Sequence, residues 1–189
     1  MRKSKVYSSL GWVVGSLLFL FIVFIFCGNG DNSEINTKYV AIAKNELEKR
    51  KVLRKDFVIM VDYSKPVSSE RLFLVDVKNE KIILSSRVSH ALNSGWIYPS
   101  KFSNTVGSEK SSIGCYVTKG EKWGRFGYSM VVDGLEKGMN DNAKKRAIIF
   151  HSTKWGFTPW SKGCFVTSKT VNASIIRMTK NGCLVVVLG

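Results

Sequence analysis

Hydrophobic and polar positions divide the chain into three textures. Residues 10–27 are uncharged and mostly apolar, closing on an unbroken apolar run from Leu17 to Cys27. That length is near the minimum for a helical bilayer span and exceeds the usual apolar core of a signal peptide. After a polar linker over 28–35, the stretch from Asn36 to Lys51 holds neither Gly nor Pro. Val40, Ala43 and Leu47 recur there at helical spacing. The pattern predicts an amphipathic helix, either packed on the body or spacing it from a membrane. Its apolar face is narrow for a helix lying on a membrane surface.

From Asp56 the texture changes to short β-type runs. They are Phe57–Val61, Leu72–Val77, Ile82–Val88, Ile113–Thr118, Ser129–Val132, Ala147–His151 and Leu184–Leu188. Turn-rich pieces such as Tyr63-Ser64-Lys65-Pro66 separate them. Ser168 to Lys180 predicts a further helix, with Val171, Ile175 and Met178 inward and Asn181-Gly182 ending it. The expected fold is mainly β, a sandwich or barrel with one or two helices. Three parts follow: 1–27 as a signal-anchor or signal peptide, 28–55 as linker and helix, and 56–189 as the folded domain.

Charge orients the first part. Arg2, Lys3 and Lys5 precede the apolar run, and Asp31 and Glu34 follow it. This places the N-terminus in the cytoplasm and the body on the periplasmic or extracytoplasmic side. No Ala-x-Ala precedes Gly28, and Phe26 is too bulky for a lipoprotein box, so an uncleaved membrane anchor is favoured over secretion after cleavage. The chain carries 29 Lys and Arg against 14 acids, a formal +15. Such a balance suggests nucleic acid first. The basic residues are scattered, however, and export removes the protein from that partner. The remaining polyanions are lipid headgroups and the cell wall.

One stretch, 146–166, concentrates the chemistry. The apolar run Ala147–Phe150 delivers His151 at a strand end, and Ser161-Lys162-Gly163-Cys164 opens a second apolar element, Phe165-Val166. A histidine and a cysteine so placed can meet across the loop. An imidazole neighbour lowers a thiol's pKa and so supplies a thiolate nucleophile. Gly163 lets the backbone turn and leaves its N–H open to a developing oxyanion. The bland alternative is an ordinary buried thiol beside a satisfied histidine. A metal site is the weakest reading, because one His and one Cys lack paired ligand spacing. No cofactor is expected. Of the other cysteines, Cys115 and Cys183 lie in or beside β-segments, either as free buried thiols or as a disulfide.

His151 followed by Ser161-x-Gly163-Cys164 resembles the signature of YkuD-type L,D-transpeptidases, and in particular their murein L,D-transpeptidase catalytic-domain branch. Further matches precede it in order: Val88-Ser89-His90, Ser94-Gly95, Phe102-Ser103-Asn104, Gly107-Ser108, Ser111-Ser112-Ile113-Gly114 and Tyr116-Val117-Thr118. They continue through Gly134-Leu135-Glu136, Asn140-Asp141-Asn142-Ala143 and Arg146.

The resemblance implies a cysteine acyltransferase acting on peptidoglycan tetrapeptide stems. Cys164 would attack the carbonyl of the third residue, release D-Ala and form a thioester that an amine resolves. Water as acceptor would make it an L,D-carboxypeptidase. His151 would be general base and ion-pair partner, with Gly163 and Cys164 N–H groups as oxyanion donors. Ser161 would orient His151 or the loop. His90 and Ser94 would line the substrate groove or orient the pair. Arg146 would bind a stem carboxylate or serve as a buried ion-pair partner, and Trp160, with Trp155, would wall the groove or pack in the core. The chain is expected to act as a monomer.

Five residues depart from the pattern: Ala91 where glycine follows the earlier histidine, Ser152 where glycine is common, Trp160 where arginine is expected, Phe165 where proline often follows, and Phe126 where histidine is frequent. They keep open a non-catalytic wall-binding module. A sortase-like transpeptidase is the other rival, with Arg177 as its later arginine.

Overall fold

The computed structural model describes residues 33–189. The signal-anchor or signal peptide expected over 1–27 therefore lies outside the described residues, and so do the first residues of the linker. Among the described residues no helix is long and apolar enough to cross a membrane. Helix α1 covers 33–48, beginning and ending earlier than its periodicity predicts. Tyr39–Gly189 forms the compact unit that carries the site. Within it, Tyr39, Val40, Ala43 and Leu47 are buried. Tyr39 stacks on Phe73 with ring centroids 4.4 Å apart and donates its hydroxyl to Asp62 Oδ2 at 2.7 Å. This part of α1 is packed on the body and is not a spacer.

The strands are β1 (Phe57–Asp62), β2 (Leu72–Asp76), β3 (Lys81–Ser86), β4 (His90–Ala91), β5 (Gly114–Gly124), β6 (Gly127–Gly134), β7 (Ile149–Ser152), β8 (Trp160–Ser161), β9 (Phe165–Thr167) and β10 (Leu184–Leu188). Helix α2 (Lys169–Thr179) connects β9 to β10. Eight strands form one sheet in the order β3-β2-β1-β10-β5-β6-β7-β9, while β4 and β8 pair separately. Its parallel pairs are β1 with β10 and β7 with β9. Central strands β1 and β10 are almost entirely buried, which is why both read as unbroken apolar runs.

The sheet curls until its two edges meet. Ser89, just past edge strand β3, donates its N–H to Val166 O on edge strand β9 at 3.0 Å. Its Oγ accepts Val166 N–H at 2.9 Å and donates to Cys164 O at 3.0 Å. The expected sandwich or barrel thus resolves to a single curled sheet. Inside it Ile59, Leu74, Tyr116, Met130, Phe150, Phe165 and Val185 pack with Ile175 and Ile176 of α2. Burying each such side chain contributes about 1.5–3 kcal/mol.

Two expectations need correction. Helix α2 is capped by Ser168, whose side chain accepts Val171 N–H, but its buried face is Asn172, Ile175, Ile176 and Thr179. Val171 and Met178 are only partly covered. Cys115 and Cys183 are free, not bridged. Cys115 lies opposite Val186, so Cys183 is three residues along the ladder, roughly 10 Å away at the usual strand rise. That exceeds disulfide reach. Burial pushes both thiols up to about 12.

Ser89→Ala removes the partner of Val166 N–H and is expected to lower stability by about 1–3 kcal/mol. Urea unfolding checks this: an unchanged midpoint and slope would show that the edges are held together by something else.

Candidate active site

A cleft of ≈ 790 Å³ opens where the sheet edges meet, and both Cys164 and His151 line it. Their placement follows from the β7–β9 register. Phe150 lies opposite Phe165 and His151 opposite Val166, so Cys164 enters β9 beside the start of β7. Its Sγ sits 3.6 Å from the carbonyl of Ala147 and receives the Ile149 N–H.

The imidazole of His151 is set by its own strand. Nδ1 lies 2.9 Å from Ser152 O. A carbonyl only accepts, so Nδ1 carries the proton and Nε2 is the basic nitrogen. The ring of Phe126 stacks on the imidazole at 4.4 Å and 30°. Burial holds His151 below the ordinary histidine value, and the Ser152 bond offsets this in part. Burial pushes the Cys164 thiol up, opposed by the Ile149 N–H and the charges of Arg146, Lys122 and Arg125. Burial thus acts on both partners against the ion pair that the resemblance implies.

Ser161 organises the loop. Its Oγ donates to Cys164 O at 2.8 Å and accepts Gly163 N–H at 3.1 Å. The Gly163 amide is thereby engaged, which removes it as an open oxyanion donor. What requires glycine here is space and conformation. Its φ is +112°, and a Cβ would come within 2.9 Å of Ile148 Cδ1 and 3.1 Å of Lys110 O.

Three of the four expected substrate contacts turn out to brace the loops. His90 is fully buried, with Nδ1 2.8 Å from Arg71 Nη2 and Nε2 2.9 Å from Gly95 O. Since guanidinium only donates, Nδ1 accepts and Nε2–H donates. Ser94 is also buried, and its Oγ accepts Ser111 N–H at 2.8 Å. Neither side chain lines the cleft. Arg146 does line it, but its Nη1 donates to Ser103 O at 2.8 Å and to Ser112 Oγ at 3.0 Å, and its Nη2 to Lys110 O. Its fork holds the 103–112 loop, and none of these three acceptors is acidic. Trp160 alone lies where expected, walling the cleft with its ring tilted 40° against Trp96 at 4.2 Å. Trp155 is 86 % exposed and stands outside the cleft.

The departures become intelligible in the same terms. Ser152 contributes a backbone carbonyl, which any residue supplies. Phe165 stacks on Phe150 at 4.6 Å inside the core. Arg177 sits on the exposed face of α2, away from the cleft, so the sortase-like reading loses its third residue. Sequence reasoning named Ser89 only as a matching residue and Phe126 only as a departure; the structure puts Ser89 on the Cys164 carbonyl and the Phe126 ring against the His151 imidazole. Arg125, Lys145 and Lys162 add positive charge to the rim, and Glu109, the one acid there among the described residues, pairs with Lys162 at 2.6 Å.

The profile of the L,D-transpeptidase catalytic domain matches residues 31–188. The chain belongs to that family. None of the curated proteins searched matches it. Among solved structures it is similar to an L,D-transpeptidase from Stackebrandtia nassauensis, at 18 % identity and a TM-score of 0.44 over 79 % of this chain and 64 % of that one. An Enterococcus faecium L,D-transpeptidase aligns at 14 % identity and TM-score 0.47, over 70 % and 50 % of the two chains. One from Mycobacterium smegmatis aligns at 11 % and 0.45, over 71 % and 59 %. This family member thus spans about half to two thirds of the length of those relatives.

Burial keeps both His90 and His151 below the ordinary histidine value. The unfolded chain therefore binds more protons than the native one as pH falls below about 6.5, and stability declines there. His90→Gln is expected to flatten this acid-side decline. Denaturant unfolding between about pH 8 and 5 reads it, and an unaltered slope would show that His90 does not carry it.

Proposed function

We propose that this chain is a murein L,D-transpeptidase working through a thioester on Cys164. The observation that carries the reading is the convergence of Cys164 and a tautomer-locked His151 on one cationic cleft, in a chain of this family. In the first half-reaction His151 Nε2 takes the thiol proton as sulfur attacks the third-residue carbonyl of a tetrapeptide stem. The backbone N–H of Cys164 is the proposed donor to the oxyanion. The C–N bond then breaks, and the imidazolium returns its proton to the departing amine of D-Ala.

In the second half-reaction a stem amine attacks the thioester and passes its proton to His151. The C–S bond breaks, and the sulfur recovers the proton. A neutral resting pair suits this order of events, since the proton moves only when substrate arrives. The basic rim favours stems that carry free carboxylates. The same proposal has the domain on the outer side of a membrane, held there by the apolar stretch over 10–27.

Incubation of the full chain with a disaccharide-tetrapeptide is expected to release D-Ala and yield stem-to-stem products detectable by mass spectrometry. Cys164→Ala should lower D-Ala release at least about a thousandfold, and His151→Gln by about 10²–10⁴. Undiminished release by Cys164→Ala would overturn the mechanism, and tripeptide as the only product would make water the acceptor. That the pair rests neutral is part of the proposal and has its own check. Iodoacetamide alkylation of Cys164 should keep accelerating above the pH at which an ordinary thiol levels off, whereas a plateau near neutrality would reveal a preformed ion pair.

A further inference from the structure

A second pocket of ≈ 630 Å³ adjoins the cysteine cleft, with Arg125, Phe126 and Thr153 lining both. Of its remaining walls the mechanism uses only the main-chain carbonyl of Ser152. Two of the others are tryptophans left open to solvent, Trp123 at 79 % and Trp155 at 86 % exposure. Large apolar rings so exposed at a concave surface mark a recognition site more often than a packing accident. Trp123 is braced by Tyr128, with ring centroids 5.2 Å apart.

The floor holds a second, independent sign of a ligand. Asn172 is only 2 % exposed and lines the pocket. Its Nδ2 donates to Tyr128 O at 2.7 Å, which fixes the orientation of the amide. Its Oδ1 is buried without a hydrogen-bond partner among the described residues. A buried carbonyl oxygen left so is costly, and it calls for an N–H or O–H donor. The charged lining residues are Arg125, Lys154 and Lys169, with no acid among the described residues. They reject a cationic occupant and favour a neutral or anionic one.

We infer that this pocket binds the glycan portion of the same polymer, as N-acylated amino-sugar units. This deepens the transpeptidase reading and rests on it for the identity of the polymer. A pyranose ring has a flat C–H face that packs on an indole, and hydroxyls at its edge that stay hydrated. The acetamido N–H is a donor of the kind that Asn172 Oδ1 lacks, and meeting it requires the groups that cover that oxygen to part on binding. A sugar held here lies next to Arg125 and Phe126, the boundary shared with the cysteine cleft, so its attached acidic peptide has a short path to Cys164. The pocket thus recognises the strand while the cleft reacts with the stem.

The test uses a probe with no stem, the β-1,4-linked tetramer of N-acetylglucosamine, titrated into the full chain and followed by NMR. The indole Nε1–H signals of Trp123 and Trp155, assigned by their disappearance in Trp123→Ala and Trp155→Ala, are expected to shift on titration. Each variant should bind at least tenfold more weakly while melting at the wild-type temperature. The de-N-acetylated tetramer, which lacks the amide and is cationic, should bind at least tenfold more weakly to the wild type. Repeating the titration on Cys164→Ala separates the two readings, because glycan binding should persist there whether or not the chain transfers acyl groups. Absence of any shift would overturn the inference. Equal response to the de-N-acetylated probe, or undiminished affinity in both tryptophan variants, would overturn it as well.

Discussion

The closure of the sheet at Ser89 is the interaction on which the site depends. Strand β9 has only three residues and pairs along one side with β7. An edge strand this short needs partners for its other side. Ser89, three residues past β3, supplies them, through its N–H to Val166 O and its hydroxyl between Val166 N–H and Cys164 O. The carbonyl of the candidate nucleophile is thereby held twice, by Ser89 and by Ser161. Backbone this well fixed keeps the sulfur at one point beside β7, and the register does the same for His151.

Desolvation at that point favours neutrality. Burial acts on both partners in the direction that discharges them, upward for the thiol and downward for the imidazole. The cations that oppose this at the thiol, Arg146, Lys122 and Arg125, act at a distance, and Arg146 already donates to three acceptors on the 103–112 loop. Desolvation works against a resting ion pair, while the Ile149 N–H, these cations and the pair's own attraction work for it. A base that takes the proton during attack need not sustain such a pair at rest, because the charge then develops against substrate. The tautomer set by Ser152 matters more to such a mechanism than a permanently ionised sulfur.

Much of the fold was legible in the sequence because its signals are local. Runs such as Phe57–Val61 and Leu184–Leu188 are apolar throughout since both faces of those strands are covered, and the structure finds strands there. The β5–β6 hairpin was read too short for the converse reason. Its outer part, Lys119 to Gly124, is exposed and carries no apolar alternation, so only the backbone pairing reveals it. Strand β4 is two residues long and exists only through its pairing with β8. Among the site residues, Cys164 and His151 stood out by chemical type. Ser89 and Phe126 did not, because their parts depend on contacts across 75 and 25 residues of chain.

The ordered polar residues that carry the family resemblance are mostly architectural, and this explains which departures the chain tolerates. Asn140 is fully buried, donating to Ile113 O and Cys115 O and accepting Glu136 N–H. Gly134 beside it has no room for a side chain, since a Cβ would fall 2.0 Å from Asn140 O. Arg71, His90, Ser94 and Arg146 likewise satisfy loop backbone groups that would otherwise be buried unpaired. Side chains of this kind are hard to replace, for each satisfies particular atoms. Where the chain differs, at Ser152 and Phe165, the position contributes a main-chain carbonyl or an apolar surface, and several residue types provide either. The pattern therefore speaks first for a loop scaffold, and the chemistry hangs on two side chains that the scaffold brings to one cleft.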